Sequence, residues 1–379
     1  MKAEITRPSI LMLSAFVPCR MQAGHNFTRQ LIADLSKDYD IDLAYFRYSH
    51  EEAYRPDVPG VRVIACEVID RWNKLANVLR HPLTFPQFSV RDSASFIRRI
   101  RGILACRKYD AVYLDHSQMF CYSRLFDGDA RIILMAHDVQ AQRFGRLYGG
   151  WLSGLCSRFE RRYMTLPNVR VLTFSAKDAD IVKRLYGVEA GVVGFYLDTC
   201  VRCASAARLD DCYILFAAWS RRENREGLLW FARSVIPLLV PGFRFVVIGG
   251  GLSEEDRREL SQIPGFTVRG FVDDPYPVIA SARALIAPLF KGAGVKVKVI
   301  ESLAVGTDVI GTDVAFEGVP DEFLDAMHKC ESAHDFANAI MNFRPTQVSK
   351  SALKARFLRS YGGRTAGEII SHMIRNWKS

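Results

Sequence analysis

Apolar residues along this chain fall into short continuous runs that are separated by segments with helical periodicity. The runs at 10–16 and 132–135 are apolar at almost every position, which is typical of strands buried on both faces of a sheet. Between such runs, residues 26–36 repeat apolar side chains every three or four positions, and the helical pattern at 177–186 stops at Gly187. Alternating strands and helices predict an α/β protein with parallel strands covered by helices on both faces.

A second alternating series begins near residue 213 and predicts a second domain. Its strands are expected at 213–217, 243–248, 266–271 and 284–289, with helices at 226–239 and 254–262. We expect two doubly wound, Rossmann-like domains at 1–195 and 211–355, joined by a linker at 196–210 that has little periodicity. A helical segment follows at 356–379. In such folds, ligands bind at the carboxyl ends of the strands and in the cleft between domains.

The segment from Lys291 to Gly311, KGAGVKVKVIESLAVGTDVIG, carries the strongest chemical signal. A loop containing Gly292, Ala293 and Gly294 follows an apolar strand and leads into a segment with two lysines and Glu301. Amides at a helix N-terminus and nearby cations favour a phosphate or diphosphate. A carboxylate one turn further along can accept hydrogen bonds from two ribose hydroxyls. The segment is therefore predicted to hold a nucleoside diphosphate.

Residues 295–299 alternate with period two, which alone would predict a strand. The chain already has strands ending near 289 and starting near 309, and two parallel strands require a crossover between them. We therefore expect a helix in this segment.

Charge is concentrated in one part of the chain. The net charge is +10, and the basic segment 71–108 contains nine Lys or Arg residues and one acid, Asp92. Trp72, Phe85 and Phe88 lie in it, followed by a helical stripe of apolar residues from Phe96 to Leu104. Such a segment can lie on an anionic membrane, contact nucleic acid, or form a solvated helix face. We expect a membrane surface and no nucleic acid.

Composition limits the remaining possibilities. A chain of 379 residues with 49% hydrophobic and 24% charged residues is typical of a globular protein, and no apolar run is long enough to span a bilayer. The apolar N-terminus is interpreted as a first strand rather than a secretion signal. Nine cysteines in apolar surroundings suit buried thiols in a reducing compartment. Cys200 and Cys203, with Cys212 nearby, lack a fourth ligand at the spacing of a zinc finger.

Taken together, these residues resemble the large retaining glycosyltransferase family numbered four, which has the GT-B fold. The resemblance covers most of the chain and is strongest from about 215 to 319. It is carried by an ordered set of short motifs: Leu215-Phe216, Asn224, Gly227–Phe231, Val246–Gly249, Val268-x-Gly270-Phe271-Val272, Ala287-Pro288-Leu289, Gly292-x-Gly294, Lys298–Ala304, Gly306 and Glu317-Gly318.

The resemblance implies roles for particular residues of the second domain. Glu301 would bind the ribose hydroxyls, and the backbone of 292–294 with the following helix would approach the sugar and diphosphate. Lys298 or Lys296 would face phosphate, depending on the phase of the helix. Two arginines, Arg221 and Arg222, are candidates for a diphosphate clamp. This chain departs from the family by lacking a glutamate in the glycine loop, where Lys291 stands, so sugar recognition is unassigned.

In the first domain, the resemblance points to Gly24 and to His137. Gly24 lies where the family has a loop against the diphosphate and the acceptor, and glycine permits close backbone approach. His137 follows an apolar strand, at a position where the family often has a histidine near the donor sugar, and Asp138 could orient it. His116, after Asp115, is a second candidate of the same kind.

The expected function is retaining transfer of a sugar from a UDP- or GDP-type donor to a hydroxyl of a glycan or lipid-linked acceptor, without cofactor or metal. The C-terminal helix is expected to return to the first domain, and the protein to be cytosolic and peripheral on the inner face of a bacterial plasma membrane. Alternatives are a non-catalytic nucleotide-sugar-binding protein and a nucleotide-sugar epimerase. The glycines at 249–251, with Asp273 and Asp274 downstream, also suggest a dinucleotide fingerprint, although its third glycine is missing.

Overall fold

The computed structural model describes residues 7–20, 23–203 and 212–377. The chain forms two compact units, Met1–Gly194 with Arg364–Ser379 and Phe195–Gly363. Each unit contains one sheet in which every described strand pair is parallel. The predicted α/β class with two parallel sheets is therefore confirmed.

In the described part of the first unit, seven strands lie in the order β3-β2-β1-β4-β5-β6-β7. The strands are β1 (Ser9–Ser14), β2 (Asp40–Tyr48), β3 (Arg62–Ile69), β4 (Ala111–Asp115), β5 (Ile132–Ala136), β6 (Val169–Thr173) and β7 (Ala190–Val192). The helices are α1 (Ala23–Leu35), α2 (Arg71–Arg80), α3 (Pro86–Ser89), α4 (Ala94–Cys106), α5 (Gln140–Tyr148), α6 (Gly150–Met164) and α7 (Ala176–Tyr186), with 3-10 turns at Ser49–Glu51 and Ser117–Leu125. The strand order reverses between β1 and β4, which is where doubly wound sheets bind ligands.

In the described part of the second unit, six strands lie in the order β10-β9-β8-β11-β12-β13. They are β8 (Cys212–Phe216), β9 (Arg244–Ile248), β10 (Phe266–Gly270), β11 (Ala284–Ala287), β12 (Val309–Gly311) and β13 (Met327–Lys329). The helices are α8 (Asp198–Arg202), α9 (Arg222–Trp230), α10 (Glu254–Ser261), α11 (Tyr276–Ser281), α12 (Val297–Ala304), α13 (Ala333–Met341) and α14 (Lys350–Tyr361). The order reverses here between β8 and β11.

Hydrophobic burial explains why the apolar runs became central strands. Leu11, Leu114 and Leu134 on adjacent strands of the first sheet have no exposed surface, and Leu215 and Val247 occupy the same position in the second core. The short edge strands β7 and β13 were not predicted, because three residues at an edge carry no periodic signal.

One predicted helix, at 226–239, has a different form in the structure. It begins earlier, as α9, and then passes through a π turn at Phe231–Val235 into a 3-10 turn at Ile236–Leu238. Pro237 lacks the backbone N–H that an α-helix would use at this point, which explains the change of geometry. The segment at 295–299 is helical from Val297 onward, as the crossover argument predicted.

The last helix, α15 (Ala366–Arg375), packs in the first unit against α1. Gly367 lies against Asp34, and Arg131 donates a hydrogen bond to the carbonyl of Ile374 at 3.2 Å. The sequence placed the start of this C-terminal segment at 356. Residues 356–363 instead belong to the second unit, because Phe357 of α14 is buried there against Phe323. Across the described ranges, no helix has the length and apolar character needed to cross a bilayer.

The glycine triplet at 249–251 has a structural explanation. Gly249 has φ +115°, and an added Cβ would overlap the carbonyl of Ala217 in the loop after β8. Gly251 has φ +91°, and an added Cβ there would lie 2.7 Å from the backbone nitrogen of Ser220 in that loop. These glycines allow two loops to pack together at the carboxyl edge of the second sheet. This packing explains the glycines, so a bound dinucleotide is not needed to account for them.

We therefore expect Gly249→Ala to destabilise the protein by about 2 kcal/mol or more, because it combines a left-handed backbone with a steric overlap. Gly250→Ala is the matched control, since a Cβ there meets its nearest neighbour, Phe271, only at 3.9 Å. Urea denaturation of both variants checks this expectation. Equal unfolding free energies for the two variants would contradict it.

Candidate functional site

A buried carboxylate organises the carboxyl edge of the first sheet. Asp115 is the last residue of β4 and lies beside Ser14, the last residue of β1. Its Oδ2 accepts hydrogen bonds from Ser14 Oγ at 3.0 Å and from Thr28 Oγ1 at 2.9 Å, and its Oδ1 is 2.8 Å from Nε2 of His137. Asp115 therefore ties β1, α1 and the loop after β5 together at the point where the strand order reverses.

The ionisation of Asp115 follows from this environment. Burial alone would raise the pKa of its carboxyl, but His116, His137 and the hydrogen bonds from His137 and Thr28 hold that pKa well below the ordinary value. An ionised Asp115 accepts the Nε2–H of His137, which leaves Nδ1 of His137 as the nitrogen able to interact with a ligand. The arrangement orients the imidazole of His137.

His116 packs directly on the pair of Asp115 and His137, and its own backbone conformation is unusual. Its φ is 71° and ψ 148°, and within the described ranges it is the one non-glycine residue with positive φ. Its ring stacks on that of His137 with centroids 3.4 Å apart, and burial together with the neighbouring His137 lowers its pKa well below 6.5. A residue held in this sparsely populated region costs about 1–3 kcal/mol, and such strain is concentrated at functional sites.

The structure corrects the predicted partner of His137. Asp115, rather than Asp138, is the carboxylate bonded to the histidine, and Asp138 lies 3.7 Å from Nη1 of Arg143 instead. Sequence adjacency was misleading here, because the partner is the last residue of the neighbouring strand. Gly24 lies in the first turn of α1, and its carbonyl accepts a hydrogen bond from Thr28 Oγ1 at 3.3 Å. A Cβ at Gly24 would meet no atom of the described residues.

Asp115, His116 and His137 also place three potential ligand atoms within 4.8 Å of one another, and within the described ranges they form the one group that could hold a metal ion. An ion there would have to replace the hydrogen bond between Asp115 and His137 and receive a nitrogen from the stacked ring of His116. These hydrogen bonds already satisfy the carboxylate of Asp115. We therefore interpret Asp115 and His137 as a pair, called the dyad below, in which the carboxylate orients the imidazole.

In the second unit, Glu301 is buried on α12, with 3% of its surface exposed. Its Oε1 accepts one hydrogen bond from the hydroxyl of Tyr276 on α11 at 3.0 Å. Burial raises the pKa of Glu301 to about 8, against smaller lowering effects of Tyr276 and Lys298. A carboxylate has room for about four hydrogen bonds, and a ligand that donates hydroxyls would favour its ionised form.

Lys298 lies one turn before Glu301 on α12 and connects this helix to α9. Its Nζ donates to Oδ1 of Asn224 at 2.8 Å, and Asn224 in turn donates to the carbonyl of Ala218 at 3.0 Å. Burial and then the nearby cations Arg221 and Lys296 lower the pKa of Lys298 to about 7. An anion placed among these cations would remove their mutual repulsion and would favour the charged lysine.

The other predicted cations have different positions. Lys296 donates to the carbonyl of Gly294 at 2.6 Å and lies 3.6 Å from a carboxylate oxygen of Glu317, so it shapes the glycine loop of 292–294. Arg222 pairs with Glu226, which also lies 3.5 Å from Nζ of Lys291. Arg221, an exposed residue after β8, is therefore the better placed of the two arginines to meet a diphosphate together with Lys298.

The apolar stripe predicted on the basic segment 71–108 faces inward. Phe96 and Ile100 of α4 are fully buried in the first core, and Ile97, Ile103 and Leu104 pack against it. Phe85 and Phe88 are buried as well, and so is Arg91, which donates to the hydroxyl of Tyr48 at 3.1 Å. Of the aromatic residues named from the sequence in this segment, Trp72 alone is exposed. The stripe therefore builds the core rather than an outer surface.

Sequence reasoning missed several residues of these clusters, namely Ser14, Thr28, Asp115 and Tyr276. Ser14 and Asp115 could have been found as polar residues that end apolar runs, which is the position where parallel strands present side chains to a ligand. Thr28 and Tyr276 lie on helices, and nothing in the local sequence indicates which face of those helices meets the site.

Part of the second unit matches a known protein family. Residues 211–343 match the family described as Glycosyl transferases group 1. An uncharacterized 44.6 kDa protein in the cps region of Klebsiella pneumoniae is 25% identical over 146 residues, which span 36% of this chain and 38% of that protein. The match thus extends over less than half of the relative's length.

Solved structures resemble the whole chain. Sucrose-phosphate synthase from Thermosynechococcus elongatus has a TM-score of 0.68 at 13% identity, covering 97% of this chain and 98% of that one. The Anabaena protein Alr3699/HepE, in complex with UDP and glucose, has a TM-score of 0.68 at 12% identity, covering 97% and 100%. At this identity the likeness concerns the fold, which is GT-B, as the sequence predicted.

The raised pKa of Glu301 leads to a prediction about stability and pH. Because the folded chain keeps this proton up to about pH 8 while the unfolded chain loses it near 4.5, the stability that Glu301 contributes at low pH is lost as the pH rises through about 8. We expect Glu301→Gln to gain stability relative to the parent protein between pH 5 and pH 8, by on the order of 1–3 kcal/mol.

Urea denaturation of both proteins at the two pH values measures this gain. Glu255→Gln, on the surface of α10, serves as the control and should show no such gain. A difference between Glu301→Gln and the parent that is the same at pH 5 and pH 8 would contradict the assignment.

Proposed function

From the family match of residues 211–343 and the GT-B fold of the chain, we propose that this protein is a metal-independent glycosyltransferase of the retaining, hexosyl-transferring type. It moves a sugar from a nucleoside diphosphate sugar, of the UDP or GDP type, to a hydroxyl of a glycan acceptor. The observation that carries the proposal is the group Glu301, Lys298 and Arg221 at the carboxyl edge of β8 and β11.

The donor's nucleotide end fits the residues of the second unit. Glu301 would accept hydrogen bonds from both ribose hydroxyls, and Tyr276 already holds one of its oxygens in position. The diphosphate would lie against Lys298, Arg221 and the backbone of 292–294, where positive charge and amides stabilise an anion. Binding would ionise Glu301 and charge Lys298, so the ligand would offset the effect of burial on both groups.

The reaction itself needs charge stabilisation more than a protein nucleophile. As the bond between the anomeric carbon and the diphosphate breaks, negative charge grows on the diphosphate, and preorganised cations and amides lower the energy of that state. In retaining transfer of this kind, the leaving diphosphate oxygen takes the proton of the acceptor hydroxyl. His137, oriented by Asp115, would hydrogen-bond the donor sugar through Nδ1.

The acceptor is proposed to be a lipid-linked glycan of surface polysaccharide biosynthesis. Two observations support this. The relative in the cps region of Klebsiella pneumoniae belongs to a region named for capsular polysaccharide, and the basic segment 71–108 suits an anionic membrane surface. The protein would then work at the inner face of the plasma membrane as a peripheral enzyme.

Loss of the ribose contact should weaken nucleotide binding. We expect Glu301→Ala to reduce affinity for UDP or GDP by about 10- to 100-fold, because hydrogen bonds to a charged group contribute about 1.5–3 kcal/mol each. Titration calorimetry measures this, and Glu255→Ala on the surface of α10 is the comparison variant that should bind like the parent. Unchanged affinity in folded Glu301→Ala protein would exclude the proposed ribose contact.

We expect the dyad of Asp115 and His137 in the first unit to raise the turnover rate. Asp115 and Asp138 provide a matched pair of positions to test this. With a donor first identified by thermal stabilisation, we expect Asp115→Asn to slow hydrolysis or transfer by about 10- to 100-fold in the presence of EDTA. Asp138→Asn should stay close to the parent rate. Melting temperatures establish that each variant is folded.

Three results would count against this assignment. Equal rates for the Asp115→Asn and Asp138→Asn variants would refute the role of the dyad in turnover. Loss of activity in EDTA would refute metal independence. A protein that binds nucleotide sugars and turns none of them over, with or without His137→Ala, would be a binding protein rather than an enzyme.

A further inference from the structure

Helix α2 has its apolar side chains on the outside. Trp72, Leu75 and Leu79 follow the spacing of one helical face, and all are exposed, Trp72 to 63%. Asn77, a polar residue, is the buried member of the helix. An ordinary surface helix has the reverse arrangement, so this face is built to meet something other than water.

Polar contacts hold α2 in this orientation. Asn77 donates to the carbonyl of Val90 at 3.1 Å and accepts from Arg80 at 3.3 Å. The helix begins with a capping box, in which Asp70 accepts the backbone N–H of Asn73 at 2.7 Å. The exposed apolar face is therefore specified by the hydrogen bonds on the opposite side.

The apolar surface continues beyond α2. Leu83, in the turn after the helix, is 91% exposed, and two residues later Phe85 anchors the turn by packing against Phe144 of α5 at 4.8 Å between centroids. Phe144 in turn contacts Tyr148 at the end of α5, at 5.6 Å. The α5–α6 turn therefore lies near the segment that follows α2, and Trp151, in the first turn of α6, is 77% exposed.

Cations outnumber acids around this surface, where Asp70 caps α2 and Asp138 lies beside Arg143. Arg71, Lys74 and Arg80 lie on α2, Arg143 and Arg146 on α5, and the sequence contains no Asp or Glu at 71–91 or 139–159. The surface defined by Trp72, Leu75, Leu79, Leu83, Tyr148 and Trp151, called the apolar patch below, is thus bordered by cations. An anionic lipid surface complements this excess of positive charge.

We infer that the apolar patch inserts into the interface of an anionic lipid bilayer. Trp and Tyr prefer the headgroup level, exposed Leu side chains reach the acyl boundary, and the bordering cations attract acidic headgroups. This inference rests on the proposed function, which includes a lipid-linked acceptor, and it deepens that proposal by naming the surface that meets the lipid. It differs from the sequence expectation in using the outer face of α2 and the α5–α6 turn rather than the stripe of α4.

Vesicle co-sedimentation tests this with the full chain. The parent protein should bind vesicles of phosphatidylglycerol and phosphatidylcholine, and should bind pure phosphatidylcholine less. The double variant Trp72→Ser/Leu79→Ser and the single variant Trp151→Ser should bind the mixed vesicles more weakly, the double variant by about tenfold. Leu324→Ser, which removes a 54% exposed leucine of the second unit, is the matched control and should bind like the parent.

Two further measurements separate insertion from surface attraction. Trp72 and Trp151 are exposed, so their fluorescence should shift to shorter wavelength with mixed vesicles and be quenched by brominated acyl chains. Raising salt from 0.1 M to 1 M, which shortens the Debye length from about 10 Å to about 3 Å, should weaken binding. Absence of binding, equal binding to neutral and anionic vesicles, or patch variants that bind like the parent would overturn the inference.

Other occupants give different results. If the patch joined two copies of this chain, light scattering would show a dimer that the double variant dissociates, and vesicles would bind neither form. Nucleotide affinity of the patch variants should be unchanged, since Trp72, Leu79 and Trp151 do not lie in the second unit. Vesicle binding without turnover would leave the inference standing and refute the proposed function, and turnover without vesicle binding would do the opposite.

Discussion

The parallel direction of the strands is the constraint on which both candidate sites depend. When all strands of a sheet run the same way, their carboxyl ends collect at one edge, and a reversal of strand order opens a gap there. In the first unit this brings Ser14 at the end of β1 next to Asp115 at the end of β4. In the second unit it brings together the helices that follow β8 and β11, where Asn224 of α9 accepts a hydrogen bond from Lys298 of α12.

Two buried carboxylates at these edges are in opposite electrostatic states. Asp115 has polar partners on both oxygens and a pKa held well below its ordinary value. Glu301 has one hydroxyl partner, and burial raises its pKa to about 8. The first carboxylate is therefore complete without a ligand and serves to orient His137. Burial makes the second costly to ionise, and a ligand with hydroxyl donors would relieve that cost.

The basic segment shows how the same pattern can have two structural outcomes. Helices α2 and α4 both alternate cations with apolar residues at helical spacing. The apolar face of α4 lies over the sheet and is buried, whereas that of α2 is exposed because Asn77 occupies the inner side. Amphipathicity defines a face but does not say which way it points. The direction of the face depends on the neighbouring elements, here on the backbone carbonyl of Val90, which accepts a hydrogen bond from Asn77.

The sequence by itself determined the alternation of buried strands and helices, the helix that carries Glu301, and the family resemblance of the second half, because each depends on residues that are close in the chain. It did not determine that Asp115 rather than Asp138 is bonded to His137, that Tyr276 holds Glu301, or that the chain from 356 to 363 stays with the second unit. Those contacts join residues on different strands and helices. They exist only once strand order and helix packing bring distant segments together, and only the tertiary structure decides them.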